Sequence, residues 1–207
     1  MVEIICHRRN SIAELASTDT KYGIEVDVRI YLNRLVVQHD PFTEGPLLED
    51  WLLKYHHGTL ILNLKEEGIE DSVLELLDER NIRNFFFLDQ SFPHIIKYAN
   101  TGFKKSAVRV SEFESLQTAL NISQKIDWAW IDCFTEFPLT GNEMQNLERA
   151  GLKTCIVSPE LQGRTDSNEI LKLSADFLAG SIVPDAICTK YPSVWMETNF
   201  FYETSAS

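Results

Sequence analysis

Short apolar runs alternate with amphipathic segments eight times along the chain, and this rhythm restricts the fold more than any single motif. The runs at 2–6, 23–30, 59–64, 84–88, 106–110, 127–131, 153–157 and 185–189 predict strands. The stretches 11–16, 46–55, 69–80, 92–99, 113–120, 141–150 and 167–178 predict helices, and 192–198 predicts a terminal turn or helix. Leu35-Val36-Val37 reads as an irregular excursion after the second strand. Strand–helix alternation demands parallel strands with helices as crossovers, because a parallel neighbour cannot be reached by a tight turn. Eight units of about 25 residues predict an α/β fold: a small (β/α)8 TIM barrel formed as a single domain, near the lower size limit of that fold. An open doubly wound sheet is the rival. Against it, the first strand is followed by CHRRNS, where a nucleotide-binding sheet would need a glycine-rich loop.

In such barrels chemistry gathers at the C-terminal ends of the strands. The first strand ends in His7-Arg8-Arg9. In GIEVDVRI, Ile24, Val26, Val28 and Ile30 fall on one face, and Glu25, Asp27 and Arg29 on the other. His39-Asp40 follows the excursion. The third strand ends in Asn63-Leu64-Lys65, with Asn63 and Lys65 on one face. Two carboxylates on one face repel unless a cation lies between them, and oxygen ligands suit a hard ion such as Mg2+ or Ca2+. Two histidines from neighbouring strand ends can act as general acid and general base. Arg8 and Lys65 can hold an anion, Arg8 through two parallel bonds. Together these groups suit cleavage of a phosphodiester.

The order His7-Arg8, then Glu25-Val26-Asp27, then His39-Asp40, then Asn63-Leu64-Lys65 resembles the glycerophosphodiester phosphodiesterase family, which is a TIM barrel. Weaker echoes are Ser91-Phe92 and Thr189-Lys190-Tyr191-Pro192. The resemblance implies that His7 and His39 are the acid–base pair, that Glu25 and Asp27 ligate a divalent metal, and that Arg8 and Lys65 bind phosphate. It also implies attack by the substrate's own hydroxyl to give a cyclic phosphate, which water then opens. The chain departs from the family at Asn63, where a third carboxylate is usual; its amide carbonyl can still ligate a hard cation. Arg9 stands in place of glycine and Lys190 in place of aspartate. The seventh strand lacks a tryptophan, and little chain separates Asp40 from the helix expected at Pro46.

The formal net charge of −12 disfavours nucleic acid and anionic lipid but not a small phosphodiester held by local cations. No apolar run reaches the roughly 20 residues of a membrane span, and MVEIICHRRN does not read as a secretory signal. Cys6, Cys133, Cys155 and Cys188 lack CxxC spacing and read as reduced core thiols of a cytoplasmic protein. Disorder is expected only over 203–207. Oligomeric state is left open by the sequence.

Several polar residues take plainer readings. Arg9 faces solvent or pairs with an acid. Asp132 and Glu67 are caps or surface groups, though either can replace the missing acidic ligand. His56-His57 belongs to the opposite end of the strands, His94 has no evident partner, and Trp128 and Trp130 pack in the core. Two functional alternatives stand beside the hydrolase. One is a barrel that keeps the phosphate pocket without turnover, motivated by Asn63 and Lys190. The other is a lyase that stops at the cyclic phosphate.

Overall fold

The computed structural model describes residues 1–205. The elements run β1 (Glu3–Cys6), α1 (Ile12–Ser17), β2 (Gly23–Tyr31), β3 (Arg34–Val37), α2 (Leu48–Leu52), β4 (Leu60–Leu64), α3 (Glu70–Glu79), β5 (Phe85–Leu88), α4 (Phe92–Ala99), β6 (Ala107–Val110), α5 (Leu116–Asn121), β7 (Trp128–Ile131), α6 (Gly141–Arg149), β8 (Lys153–Val157), a short 3-10 turn (Pro159–Gln162), α7 (Ser167–Ala179), β9 (Ala186–Thr189), α8 (Pro192–Met196) and α9 (Asn199–Ser205). The order is the predicted α/β alternation, with β3 as an additional strand. The chain divides into two compact units, Cys6–Ser106 and Met1–Ile5 with Ala107–Ser207.

Within Cys6–Ser106, β2 pairs in parallel with β4, and β4 with β5. The excursion at Leu35 is not irregular: Arg34–Val37 folds back antiparallel on β2, with Val28 opposite Val37 and Tyr31 opposite Arg34. Leu32 and Asn33 make the turn at φ 49° and 61°. That is the left-handed geometry a two-residue hairpin requires, because its twist matches that of the strands.

Ile24, Val26 and Val28 are fully buried against Leu15 of α1, Leu48 and Trp51 of α2, and Val73 and Leu77 of α3. Glu25 and Asp27 lie on the face turned away from these helices, yet are buried as well. Burial on both faces is the expected condition of a parallel strand. Ser11 caps α1 in a capping box with Glu14. The helix expected over 46–55 is shorter, at Leu48–Leu52, and Leu47 ahead of it makes no side-chain cap.

Within the other unit, β6, β7, β8 and β9 pair successively in parallel, and Glu3 of β1 donates its N–H to the Asp185 carbonyl at 2.9 Å. Thr140 and Glu143 form a capping box on α6, and Gly151 follows that helix at φ 80°. The α5 helix starts at Leu116 rather than 113. Ser111 Oγ accepts the N–H groups of Phe113 and Glu114 and holds that stretch as a turn. Phe177, Trp195 and Phe200 pack edge and face against one another, and the Trp195 indole donates to Ser158 Oγ at 2.8 Å.

All four cysteines are free and buried, as expected. Among the described residues no helix is long and apolar enough to cross a membrane. Of the tail read as disordered, residues 203–205 continue α9, whereas 206 and 207 lie outside the described residues.

Candidate active site

Every residue assigned to the site from sequence falls in the Cys6–Ser106 unit. Glu25 and Asp27 are 1% and 0% exposed, and Asn63 is 7% exposed. The parallel register sets Asp27 beside Asn63 on β4. The loop after β1 delivers the remaining groups. Arg8 sits at φ 53°, a left-handed conformation unusual for a side-chain-bearing residue, and its N–H donates to Glu25 Oε2 at 2.8 Å. The Arg8 guanidinium meets Asp27 Oδ2 at 3.2 Å, and His7 Nε2 lies 3.6 Å from Glu25 Oε2. Lys65, just past β4, stands 3.1 Å from Asp27 Oδ1 and 3.6 Å from Asp89 Oδ2. His7, Arg8, Glu25, Asp27, Asn63 and Lys65 therefore share one small region.

The backbone just before His39 is tied to β2, where the Gln38 N–H donates to the Asp27 carbonyl at 2.9 Å, and the His39 side chain has Asp40 as its partner. The His39 carbonyl accepts from Arg29 Nε at 2.8 Å, and its Nδ1 lies 2.8 Å from Asp40 Oδ1. Its side chain is 41% exposed, against 14% for His7, so the two imidazoles occupy different environments.

The surroundings push the two carboxylates in opposite directions. Burial, reinforced by the charge of Asp27, pushes Glu25 up to about 7 despite the Arg8 N–H. Burial also works to raise Asp27, but the Asn10 amide, Lys65 and Arg8 outweigh it and hold Asp27 below the usual carboxylate range. Asn10 was not singled out in the sequence. It donates from Nδ2 to Asp27 Oδ2 at 2.9 Å and accepts the Asp27 N–H at 3.1 Å.

The donor set suits a hard cation. Glu25 Oε1, Asp27 Oδ1 and Asn63 Oδ1 are buried atoms without a hydrogen bond, although Lys65 stands near Asp27 Oδ1 as an ion partner. Buried acceptors are rarely left so unless something else meets them. Each expected ligand thus offers one such oxygen. Among the described residues no three His, Cys, Asp or Glu side chains group as a metal site would, and the three oxygens named belong to two carboxylates and one amide.

Other polar residues depart from their plain readings. His94 does have partners: its Nδ1 lies 2.9 Å from Glu70 Oε1, and its Nε2 lies 3.4 Å from Glu67 Oε2. Glu67 is exposed, a surface group as expected. Asp132 is fully buried and takes Arg109 and the Gln162 amide as partners, so it is neither a cap nor a surface group. The Arg9 carbonyl accepts the Trp51 indole N–H at 3.0 Å, and the charge of its side chain works to lower the Cys6 thiol against the stronger effect of burial. His57 Nε2 bonds the Thr18 carbonyl, a structural contact. Trp128 and Trp130 are buried, as expected of core residues.

No family model and no curated protein sequence matches the chain. Solved structures do. One is an Agrobacterium tumefaciens protein provisionally assigned as a glycerophosphoryl diester phosphodiesterase, with 14% identity, TM-score 0.71 and full coverage of both chains. A glycerophosphodiester phosphodiesterase of the same species has 17% identity and TM-score 0.65, covering 94% of this chain and 97% of its own. The glycerophosphodiester phosphodiesterase of Thermotoga maritima has 14% identity and TM-score 0.63, covering 100% of this chain and 99% of its own. At these identities the likeness concerns the fold, which is the α/β (β/α)8 TIM-barrel class predicted from the alternation.

Proposed function

We propose that this chain is a glycerophosphodiester phosphodiesterase that depends on a divalent cation, Mg2+ or Ca2+. The observation that carries the reading is a set of three buried oxygens, Glu25 Oε1 and Asn63 Oδ1 without a hydrogen bond and Asp27 Oδ1 facing Lys65, beside His7 and Arg8. The fold shared with phosphodiesterases supports the same class. A small phosphodiester is the expected partner, and the reduced thiols suit a cytoplasmic setting.

Glu25, Asp27 and Asn63 would hold the cation. When bound, it would supply positive charge to the phosphoryl oxygens as bonding to phosphorus changes. The chain's own residues do the rest. Arg8 and Lys65, already beside Asp27, bind the phosphate oxygens and neutralise charge there. One imidazole accepts the proton of the substrate's neighbouring hydroxyl as that oxygen bonds to phosphorus. The other gives a proton to the departing alcohol oxygen as its bond to phosphorus breaks. Water then opens the cyclic phosphate with the two roles exchanged. An Nδ1–H donated to the Asp40 carboxylate would leave His39 Nε2 as the atom that takes up and releases the proton.

The test is release of the alcohol from a glycerophosphodiester with and without Mg2+ or Ca2+. His7→Ala and His39→Ala should each lose about 100- to 10,000-fold in rate, and full activity of both variants ends this reading. Asp27's contact with both Arg8 and Lys65 favours a second reading, a barrel that binds phosphate without turnover. Calorimetry that finds phosphodiester binding but neither cation uptake nor product selects it. A product that remains a cyclic phosphate by phosphorus NMR selects the lyase.

A further inference from the structure

Asn10 grips Asp27 twice, through Nδ2 to the carboxylate Oδ2 at 2.9 Å and through Oδ1 to the backbone N–H at 3.1 Å. The pair of bonds fixes which way the amide lies. Reversed, it would set a carbonyl against a carboxylate and an amine against an N–H. Asn10 is not serving as a helix cap, because its neighbour Ser11 accepts the Glu14 N–H that opens α1. Seventeen residues separate Asn10 from Asp27, so the clamp is a tertiary contact between the loop after β1 and the middle of β2.

The consequence is directional. With Oδ2 tied to Asn10 and to the Arg8 guanidinium, the carboxylate cannot turn about its Cβ–Cγ bond without breaking both contacts. That leaves Oδ1, which neither Asn10 nor Arg8 holds and which faces the Lys65 ammonium at 3.1 Å. Glu25 shows the same division: Oε2 is held by the Arg8 N–H, and Oε1 is left. A main-chain donor orients one candidate ligand, and the Asn10 side chain orients the other.

We infer that Asn10 is a positioning residue, which sets Asp27 Oδ1 toward the divalent cation and acts on that ion only through Asp27. The inference rests on the proposal that Glu25, Asp27 and Asn63 hold such an ion. Outer-shell partners of metal ligands commonly contribute 10- to 100-fold in affinity, because an unoriented ligand must be ordered when the ion arrives.

The experiment titrates Mn2+ into the metal-free protein and follows the free ion by electron paramagnetic resonance. Wild type is compared with Asn10→Ala, with Asn10→Ser (too short to span both bonds, and the second variant should alanine not fold) and with Ser11→Ala. The last removes the neighbouring helix cap and controls for general loosening of the loop. Thermal unfolding in a chelator records the stability of each. The expected result is a loss of about 10- to 100-fold in Mn2+ affinity for the Asn10 variants, with Ser11→Ala within about twofold of wild type. Asn10 variants that bind Mn2+ as tightly as wild type, or an equal loss in Ser11→Ala, overturn the role of Asn10. A wild type that takes up no Mn2+ overturns the cation reading itself, and this inference with it.

Discussion

Arg8 reaches Glu25 with its backbone rather than its side chain: from φ 53° its N–H donates to Oε2 at 2.8 Å, while its guanidinium turns to Asp27. A left-handed backbone costs a residue with a Cβ about 1–2 kcal/mol, and glycine almost nothing. Arg8→Ala and Arg8→Gly both delete the guanidinium, but only glycine relieves the backbone. Urea denaturation should find Arg8→Gly more stable than Arg8→Ala by about 1 kcal/mol. Both should raise KM for a phosphodiester if the guanidinium binds phosphate. Equal stabilities would mean that the turn carries no strain.

Glu25 predicts an unusual pH response. Its carboxyl is pushed up to about 7 by burial and by the charge of Asp27. A raised folded pKa means that the folded chain holds the proton more tightly than the unfolded one. The stability it contributes is complete below the ordinary value of 4.5 and is lost as pH rises through 7. In a chelator, wild type should lose more stability between pH 6 and pH 8 than Glu25→Gln, which has no proton to give up. A cation reverses the preference by demanding the ionised oxygen, so Mg2+ or Mn2+ affinity should climb with pH up to about 7 and then level off. Calorimetry in two buffers of different ionisation enthalpy measures the proton released. Affinity independent of pH across this range would remove Glu25 from the ligand set.

The outlines of this site were visible in the sequence because alternation is local. A two-residue period is enough to set Glu25 and Asp27 together and opposite Val26. Contacts between distant segments were not visible. Asn10 carries no signal in the sequence, and only the approach of the β1 loop to β2 makes it the partner of Asp27. His94 looked unpartnered because the rest of α3 and all of β5 lie between Glu70 and it in the chain. The β3 strand escaped notice because its turn uses Leu32-Asn33, without the glycine that usually marks a tight hairpin. Asp132 was taken for a cap because Arg109 and Gln162 converge on it from other strand ends.

Glu112 predicts an acid-labile loop in the other unit. Its carboxylate accepts the N–H groups of Phe134, Thr135 and Glu136 at 3.2, 2.7 and 3.0 Å. Burial works to raise its pKa, but the Glu136 and Thr135 N–H groups outweigh this and bring it down to about 2. A lowered folded pKa contributes stability above the ordinary value of 4.5, and that stability is lost as pH falls toward 2. Glu112→Gln keeps an oxygen but loses the charge that strengthens these bonds. It should cost about 1–2 kcal/mol at pH 7 and much less at pH 3, read by urea denaturation at both. An equal cost at the two pH values would mean that the charge does not hold the loop.

Asn63 is the decisive position for the cation. It lies beside Asp27 in the β2–β4 register, it is 7% exposed, and its Oδ1 has no hydrogen bond. Asn63→Glu adds a third buried carboxylate to two that already repel. In a chelator the variant should therefore lose about 1–3 kcal/mol of stability. A divalent ion converts that repulsion into ligation, because each added anionic oxygen deepens the attraction for a hard cation. Mg2+ at millimolar concentration should restore the loss, and calorimetry should show affinity raised about tenfold over wild type. If tighter cation binding also raises phosphodiester turnover, the wild-type site is a weakened form of a working one. If it tightens binding and no alcohol is released, the chain is a phosphate-binding barrel that a single carboxylate cannot return to catalysis. Destabilisation that no cation relieves would mean that Glu25, Asp27 and position 63 do not meet a shared ion, and that Arg8 and Lys65 are the only positive charges the site possesses.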